Sequence, residues 1–424
     1  MLAHREATLV ELVGLLEEPV RTGPGRPRML PSALLWASLA IGVLRNRTSQ
    51  SAVWRLVRDA ALWRGAQVAV SDQAVFKRLG QAGPSPMGLL FTAITALVTE
   101  RVTPYQDQAL APFAREIVAI DQSTLDPVAR TVPHLRAAGK TDHALLPGKI
   151  DGVYDIRRRI WRRVDLILNP DQNEKVTAPN LVADLPPGSL VLADRGYFSF
   201  AWFDALTTAG HFWISRVPVH VNVQIRHTLH EDLYRDELGF LGAARANRAA
   251  HLVRRVQFTS DRGTHTYLTN VTDPALLSVQ EIAVLYARRW DIERAFKLVK
   301  RDLNLHLLWS AKPEVIAHQL WAVLLIAQIL QFLQVEIAHR AGVPVDDVSL
   351  PLLVAYLPQY AATADDPIAA YIRDAVALRF IRPSRRIQPR APIVPLTAFT
   401  PPPPDLVRTQ IPRYVPYNSA RWKK

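Results

Sequence analysis

Two short apolar runs, each ending at an aspartate, constrain this chain more than any other feature. Ile117–Ile120 reads IVAI and runs into Asp121; Ser189–Ala193 reads SLVLA and runs into Asp194. Short apolar runs bounded by polar residues fit buried strands of a helix-covered sheet. An acid at the carboxyl end of such a strand lies at the mouth of an open α/β sheet, where ligands bind. Asp194 is followed by Arg195-Gly196-Tyr197, and the glycine allows a sharp turn. Taken singly, each aspartate could simply cap its strand. Asp126, Asp151 and Asp155 are further acids of the same region.

A third acid sits in a predicted helix, Ser278–Leu303. At about 100° per residue, Tyr286, Arg289, Glu293 and Lys300 fall within about 60° of one another. One stripe therefore carries a phenol, a guanidinium, a carboxylate and an ammonium. A solvated face with an i,i+4 pair, Arg289–Glu293, is the plainer reading, worth a few tenths of a kcal/mol. The sharper one is a metal-binding glutamate flanked by phosphate clamps. Two or three converging carboxylates make a hard oxygen site for Mg²⁺. Two such ions, about 3.5–4 Å apart, clamp the attacking and leaving oxygens of a phosphodiester. Asp291, on another part of the helix, is a weaker candidate.

The rest of the chain divides by pattern. Residues 1–100 read as helical, with apolar spacing at Leu9, Leu12, Val13 and Leu16 and helices at Ser32–Leu44, Gln50–Arg58 and Ser71–Leu79; Arg21–Pro31 is a Pro/Gly-rich break. Strands are expected at Val153–Ile156, Ile160–Ile167, His211–Ser215, Leu252–Phe258 and Thr264–Asn270. Apolar helices follow at Pro313–Arg340 and Leu350–Leu357. His318, Gln319, Gln328 and Gln331 interrupt the first of these, which fits a buried helix better than a membrane span. Residues 371–424 hold 11 Arg and Lys against 2 Asp, and 10 of the 32 prolines. They read as an extended, basic, poorly packing tail that adds salt-sensitive phosphate affinity.

Charge points the same way. The chain carries 51 Lys and Arg against 38 Asp and Glu, a net +13, and all but 9 of the cations are Arg. Guanidinium forks fit phosphate, so a polyanionic partner, nucleic acid first, is expected. The absence of cysteine excludes disulfides, thiolate zinc sites and Cys nucleophiles. Glu6, Glu11, Glu17 and Glu18 argue against a signal peptide, and a cytoplasmic, nucleoid-associated protein is expected. No Walker-type loop calls for a nucleotide cofactor. Ser123 and Thr124 lack a matching His/Asp pair, so a nucleophilic serine is rejected. His227 and His230 could share a helix face but lack a third zinc ligand. Lys149 could approach phosphate.

The pattern Tyr286-(2)-Arg289-(3)-Glu293-(6)-Lys300 resembles the signature of the insertion-sequence-four family of bacterial DDE transposases. Ala119-Ile-Asp121-Gln-Ser-Thr124 and Gly188-Ser-Leu-Val-Leu-Ala-Asp194-Arg-Gly-Tyr197 are similar to its first and second Asp motifs. The resemblance covers roughly Leu34 to Leu330, with the motifs in order. It implies an α/β chain: a ribonuclease-H-like catalytic core with a mainly β insertion, a helical N-terminal domain, and C-terminal helices with a basic Pro-rich tail. The expected boundaries are 1–110 (helical, binding DNA), 111–216 (core, first part), 217–275 (insertion), 276–370 (core, second part) and 371–424 (tail). It implies that Asp121, Asp194 and Glu293 are catalytic and hold two Mg²⁺ ions, with Mn²⁺ as the alternative metal. Tyr286, Arg289 and Lys300 would bind DNA phosphate. The reaction implied is cleavage at terminal inverted repeats and 3′-OH strand transfer, by a homodimer on transposon ends and target DNA. A silent DNA-binding descendant, or a nuclease that never joins ends, shares these residues. Some relatives trap a flipped base with a Trp in the insertion, but no Trp lies between Ile214 and Arg289. Tyr234, Phe240, Phe258 and Tyr267 are the rings left there, while Trp290 is expected to pack.

Overall fold

The computed structural model describes residues 30–63, 68–83, 85–125, 148–167, 169, 172–217, 221–243, 247–310, 312–386 and 390–414. The expected helix at Leu9–Leu16, most of the Arg21–Pro31 break, and Asp126 lie outside these residues. Four helices come first: α1 (Ser32–Leu44), α2 (Gln50–Val57), α3 (Asp72–Leu79) and α4 (Pro86–Val102). Ser49 and Ser71 cap α2 and α3, each accepting from a backbone N–H in the first turn.

Nine strands then form one mixed sheet. They are β1 (Ile117–Thr124), β2 (Lys149–Asp155), β3 (Ile160–Ile167), β4 (Leu190–Ala193), β5 (Phe212–Arg216), β6 (Val223–Glu231), β7 (Arg235–Gly242), β8 (Arg248–Ser260) and β9 (Gly263–Thr269). The spatial order is β3-β2-β1-β4-β5-β9-β8-β7-β6. Only β1–β4 and β4–β5 are parallel. The residues expected as an insertion thus form an antiparallel meander whose last strand, β9, pairs with β5 and extends the sheet. Two of its strands, β6 and β7, escape the sequence pattern. His227 and His230 lie on β6, not on a helix.

Helices cover both faces. α5 (Glu174–Val182) and α6 (Phe200–Thr208) pack on the face of Val118, Ile120, Val153 and Val191. α7 (Val279–Arg288), α8 (Trp290–Lys297) and α9 (Pro313–Ala341) belong to the opposite core, with Ile117, Ala119, Leu190 and Leu192. The predicted Ser278–Leu303 helix is therefore interrupted at Arg289, and it ends in a wide turn at Leu298–Asp302. Arg288 and Arg386 hold the interruption. Arg288 donates to Asp291 (2.6 Å) and to the Ile156 carbonyl, while Arg386 donates to Asp291 and to the Ala287 carbonyl. Asp291 is thus a structural acid.

The polar residues that break the apolar run of α9 each have a partner. Gln328, fully buried, accepts from the Trp161 N–H (3.0 Å) and donates to the Trp161 carbonyl (2.9 Å), closing the open edge of β3. Gln331 donates to the Tyr154 hydroxyl, Gln319 accepts from the Trp309 N–H, and His318 bonds Ser85. Among the described residues α9 is the one helix long and apolar enough to cross a membrane, and here it is largely buried inside the protein.

The C-terminal segment corrects its sequence reading. After α10 (Leu350–Thr363) and α11 (Pro367–Ala375), buried Phe380 closes the core around Tyr371, and the two rings stack at 4.7 Å. Residues 408–413 run antiparallel to the start of β8, with Arg248 and Arg413 exchanging both backbone bonds. Phe399 and Leu406 cover Leu229, Leu238, Phe240 and Leu252. The prolines keep the chain extended, and the backbone bonds and apolar side chains between them fix it on the sheet. A segment of this composition packs because the insertion offers it an edge and an apolar face.

One ion pair is wholly enclosed. Arg254 on β8 and Asp236 on β7 meet through two bonds of 2.7 and 2.6 Å, with no side-chain exposure, and Arg254 also donates to the Leu277 carbonyl. Removing one partner strands the other charge, so Asp236→Asn should cost about 3–5 kcal/mol in urea unfolding. A loss below about 1 kcal/mol would show that the insertion does not depend on this pair.

Candidate active site

Strand parity builds the site. Ala119 on β1 is level with Leu192 on β4. Two residues further along each parallel strand stand Asp121 and Asp194, so the two acids share a level. They also share a face, the one carrying Ile117, Ala119, Leu190 and Leu192. α8 lies over that face and brings Glu293. Its anchor is Phe296, packed on Trp161 with ring centroids 4.9 Å apart. Gly152, paired with Asp121 across β1–β2, lies beneath both rings. A Cβ there would stand 2.6 Å from Trp161 Cζ3 and 3.1 Å from Phe296 Cζ, so only glycine lets the helix sit this close.

The electrostatics show that the three acids feel one another. Burial pushes the Asp121 carboxyl up to about 7; Arg289 pulls it down, and the charges of Asp194 and Glu293 raise it further. Arg289 is the cation among them. It is 5% exposed, and its Nη2 donates to Glu293 Oε1 at 2.6 Å. Its Nε and Nη1 are buried without a hydrogen-bond partner. The Tyr286 and Trp290 rings lie 5.7 and 5.4 Å from its guanidinium carbon. Burial also lifts the Tyr286 phenol to about 12, so it stays a neutral hydrogen-bond donor. Asp194 Oδ1 accepts from the Gly196 N–H at 2.6 Å. Glu293 is turned to Arg289 and Asp194 to that backbone, and among the described residues no three acid or histidine side chains stand close enough together to hold a metal ion as they are placed.

A groove of about 660 Å³ opens beside Asp121 and Glu293, edged by Lys149, Lys297, Lys300 and Arg301. Lys300 reaches back to Ser123 Oγ (2.6 Å) and to the Thr124 carbonyl. Lys149 donates to the Gln172 carbonyl at 2.8 Å. Tyr286 and Arg289 are buried rather than presented on the surface. Of the other acids, Asp155 pairs with Arg158, and Asp151 is buried, accepting from Gln122 Nε2 at 2.7 Å.

Sequence reasoning passed over Glu174. A Cβ on Gly196 would meet its Oε1, and burial together with the Asp194 charge raises its carboxyl. Its position at the start of α5 carries no motif that could have marked it. The aromatic expectations are corrected as well. Tyr234, Phe240, Phe258 and Tyr267 are 2–5% exposed, being spent on core packing, whereas Trp290 is 56% exposed. Trp290 opens on a hollow shared with Arg216, Tyr267 and Tyr286.

The Asp121 charge is costly, and the sign of its pH dependence follows. Its folded carboxyl titrates at about 7 against 3.8 for an ordinary aspartate, so the cost enters as pH rises through that window and is complete above it. In divalent-free buffer, Asp121→Asn should match the parent near pH 4 and exceed it above pH 7, by up to a few kcal/mol in denaturant unfolding. A difference that does not grow with pH would contradict the buried-charge reading.

Comparison with known proteins fits this arrangement. A family profile described as "Transposase DDE domain" matches residues 112–329, just over half of the chain. The transposase InsG for insertion sequence element IS4 of Escherichia coli K12 is 25% identical over 181 residues, and the match spans 40% of each protein. A cryo-EM structure of the piggyBac transposase synaptic complex with hairpin DNA overlays 90% of this chain and 83% of its own at 10% identity. Its TM-score of 0.40 is too low to argue from. The chain belongs to the DDE transposase family.

Proposed function

We propose that this protein is a DNA transposase that binds the terminal inverted repeats of its element, cuts the phosphodiester there and joins the freed 3′-OH to target DNA. The observation that carries the reading is the level, same-face placement of Asp121 and Asp194 on adjacent parallel strands, with Glu293 brought over them by α8. The strand order β3-β2-β1-β4-β5 beneath that helix supports a ribonuclease-H-like core, with β6–β9 as its insertion.

The donor set suits divalent cations. Three carboxylates are hard oxygen ligands, and a bound cation would offset the burial and the neighbouring charges that together lift Asp121. Asp121, Asp194 and Glu293 would hold Mg²⁺ or Mn²⁺, and such ions activate the attacking oxygen and stabilise the leaving one. The chain's own cations do the rest. Lys149, Lys297 and Arg301 face the groove and attract the phosphate backbone. Arg289 offers its unpartnered Nε and Nη1 to a phosphate oxygen, and the neutral Tyr286 phenol donates beside it. Lys300 holds the β1 end at Ser123 and Thr124 and keeps the rim of the groove positive. Trp290 is the exposed ring able to stack on an unpaired base. Two copies on two ends, acting in the cytoplasm on the nucleoid, complete the reading.

The test uses labelled DNA from both flanks of the element. Wild-type protein with Mg²⁺ should cut at defined ends and join them to a plasmid. Asp121→Asn, Asp194→Asn and Glu293→Gln should each lower cleavage by at least about a thousandfold, roughly 4 kcal/mol, while still binding the ends. Binding without cutting by the wild type would favour a silent descendant. Cutting without joining would favour a nuclease.

A further inference from the structure

We infer that the cleft between α8 and residues 379–386 is the seat of a second DNA duplex, the target into which the ends are joined. This rests on the transposase reading and adds a binding surface to it. The cleft measures about 700 Å³ and lies on the far flank of α8 from Asp121. Arg294 and Lys297 of α8 form one wall, and Arg379, Arg382 and Arg385 form the other. Lys297 also edges the catalytic groove, so the two hollows meet at one side chain.

The segment is held by its backbone and leaves its arginines unspent. Ile381 bridges Val348, the Ser349 N–H donates to the Phe380 carbonyl, and the Arg382 N–H donates to the Asp347 carbonyl. The Ser384 N–H donates to Asp347 Oδ1 at 2.8 Å. Three acids line the cleft: Asp347 is engaged by that backbone bond, Asp346 by Arg159, Arg294 and Arg386, and Asp302 feels the charges of Lys297 and Arg301. Arg379, Arg382, Arg385 and Lys297 are exposed, and none forms a side-chain hydrogen bond or ion pair among the described residues. Three guanidinium forks on one wall and an ammonium on the other match the phosphates of a duplex, which they would contact without reading sequence. Strand transfer brings two duplexes to one set of acids. The groove beside Asp121 and Glu293 takes the one that is cut, and the cleft across α8 takes the other.

The experiment compares wild type with an Arg379→Ala, Arg382→Ala, Arg385→Ala triple variant of the full chain. These exposed side chains carry no partner among the described residues, so the variant should keep its thermal unfolding midpoint. End cleavage should stay within about twofold, while joining of precut ends to a plasmid falls by at least about tenfold. The slope of log affinity against log salt for a random-sequence duplex should flatten by about three. Arg373→Ala, whose side chain pairs with Asp374 outside the cleft, should change neither step. Unchanged joining would overturn the inference, as would equal loss of cleavage and joining, which would place the transposon end in the cleft. A wild type that cuts no DNA defeats the transposase reading itself. In that case an unchanged salt slope in the variant still overturns the cleft as a DNA seat.

Discussion

A buried guanidinium among carboxylates is the interaction on which the site depends. Arg289 sits at the break between α7 and α8, where its neighbours Arg288 and Asp291 are already committed to structural bonds. It turns Nη2 to Glu293 and leaves Nε and Nη1 without a hydrogen-bond partner among the described residues. A buried cation of this kind offsets the mutual repulsion of Asp121, Asp194 and Glu293, and an unpartnered buried N–H is itself costly. The arrangement is therefore poised. On the proposed function, an anion that satisfied Arg289 would free Glu293, and a freed Glu293 would complete a set of oxygen donors. Phosphate and divalent cation are the pair that would satisfy both needs at once.

The rest of the fold fixes where that guanidinium and those acids stand. Parallel pairing of β1 with β4 sets the two aspartates level. Gly152 admits Phe296 onto Trp161 and so sets the height of α8 above the sheet. Gln328 of α9 closes the β3 edge on the backbone of the same Trp161. The C-terminal segment joins in through Arg386, which binds Asp291, Asp346 and the Ala287 carbonyl. Burial pushes the Asp346 carboxyl up, but Arg159, Arg294 and Arg386 outweigh it and hold that carboxyl well below the ordinary range. Core, α8 and C-terminal segment thus share one network of charges.

Much of this was legible in the sequence, for reasons that can be named. IVAI-Asp121 and SLVLA-Asp194 were readable because a strand buried on both faces leaves little room for polar residues. The Glu293 stripe was readable because helical spacing is regular. What escaped lacks such a period. β6 and β7 mix charges and histidines among their apolar residues, so they do not read as strands. The break at Arg289 is set by tertiary bonds from Arg288 and Arg386. Glu174 approaches Asp194 only through folding, and the rings expected to stack were claimed by the core. The C-terminal arginines divide in a way composition could not show: Arg386 is structural, while the side chains of Arg379, Arg382 and Arg385 are exposed and have no hydrogen-bond or ion-pair partner among the described residues.

The most direct test of the central claim is a titration of Mn²⁺, followed by electron paramagnetic resonance, into the full chain bound to a precut transposon end. Comparison with Asp121→Asn and Glu293→Gln isolates the carboxylates. If the three acids form one oxygen site, the wild type binds the ion and each variant weakens that binding by at least about tenfold, roughly 1.4 kcal/mol. Equal Mn²⁺ affinity in all three proteins would contradict the account and return Asp121 and Glu293 to the role of a strand end and a helix ion pair.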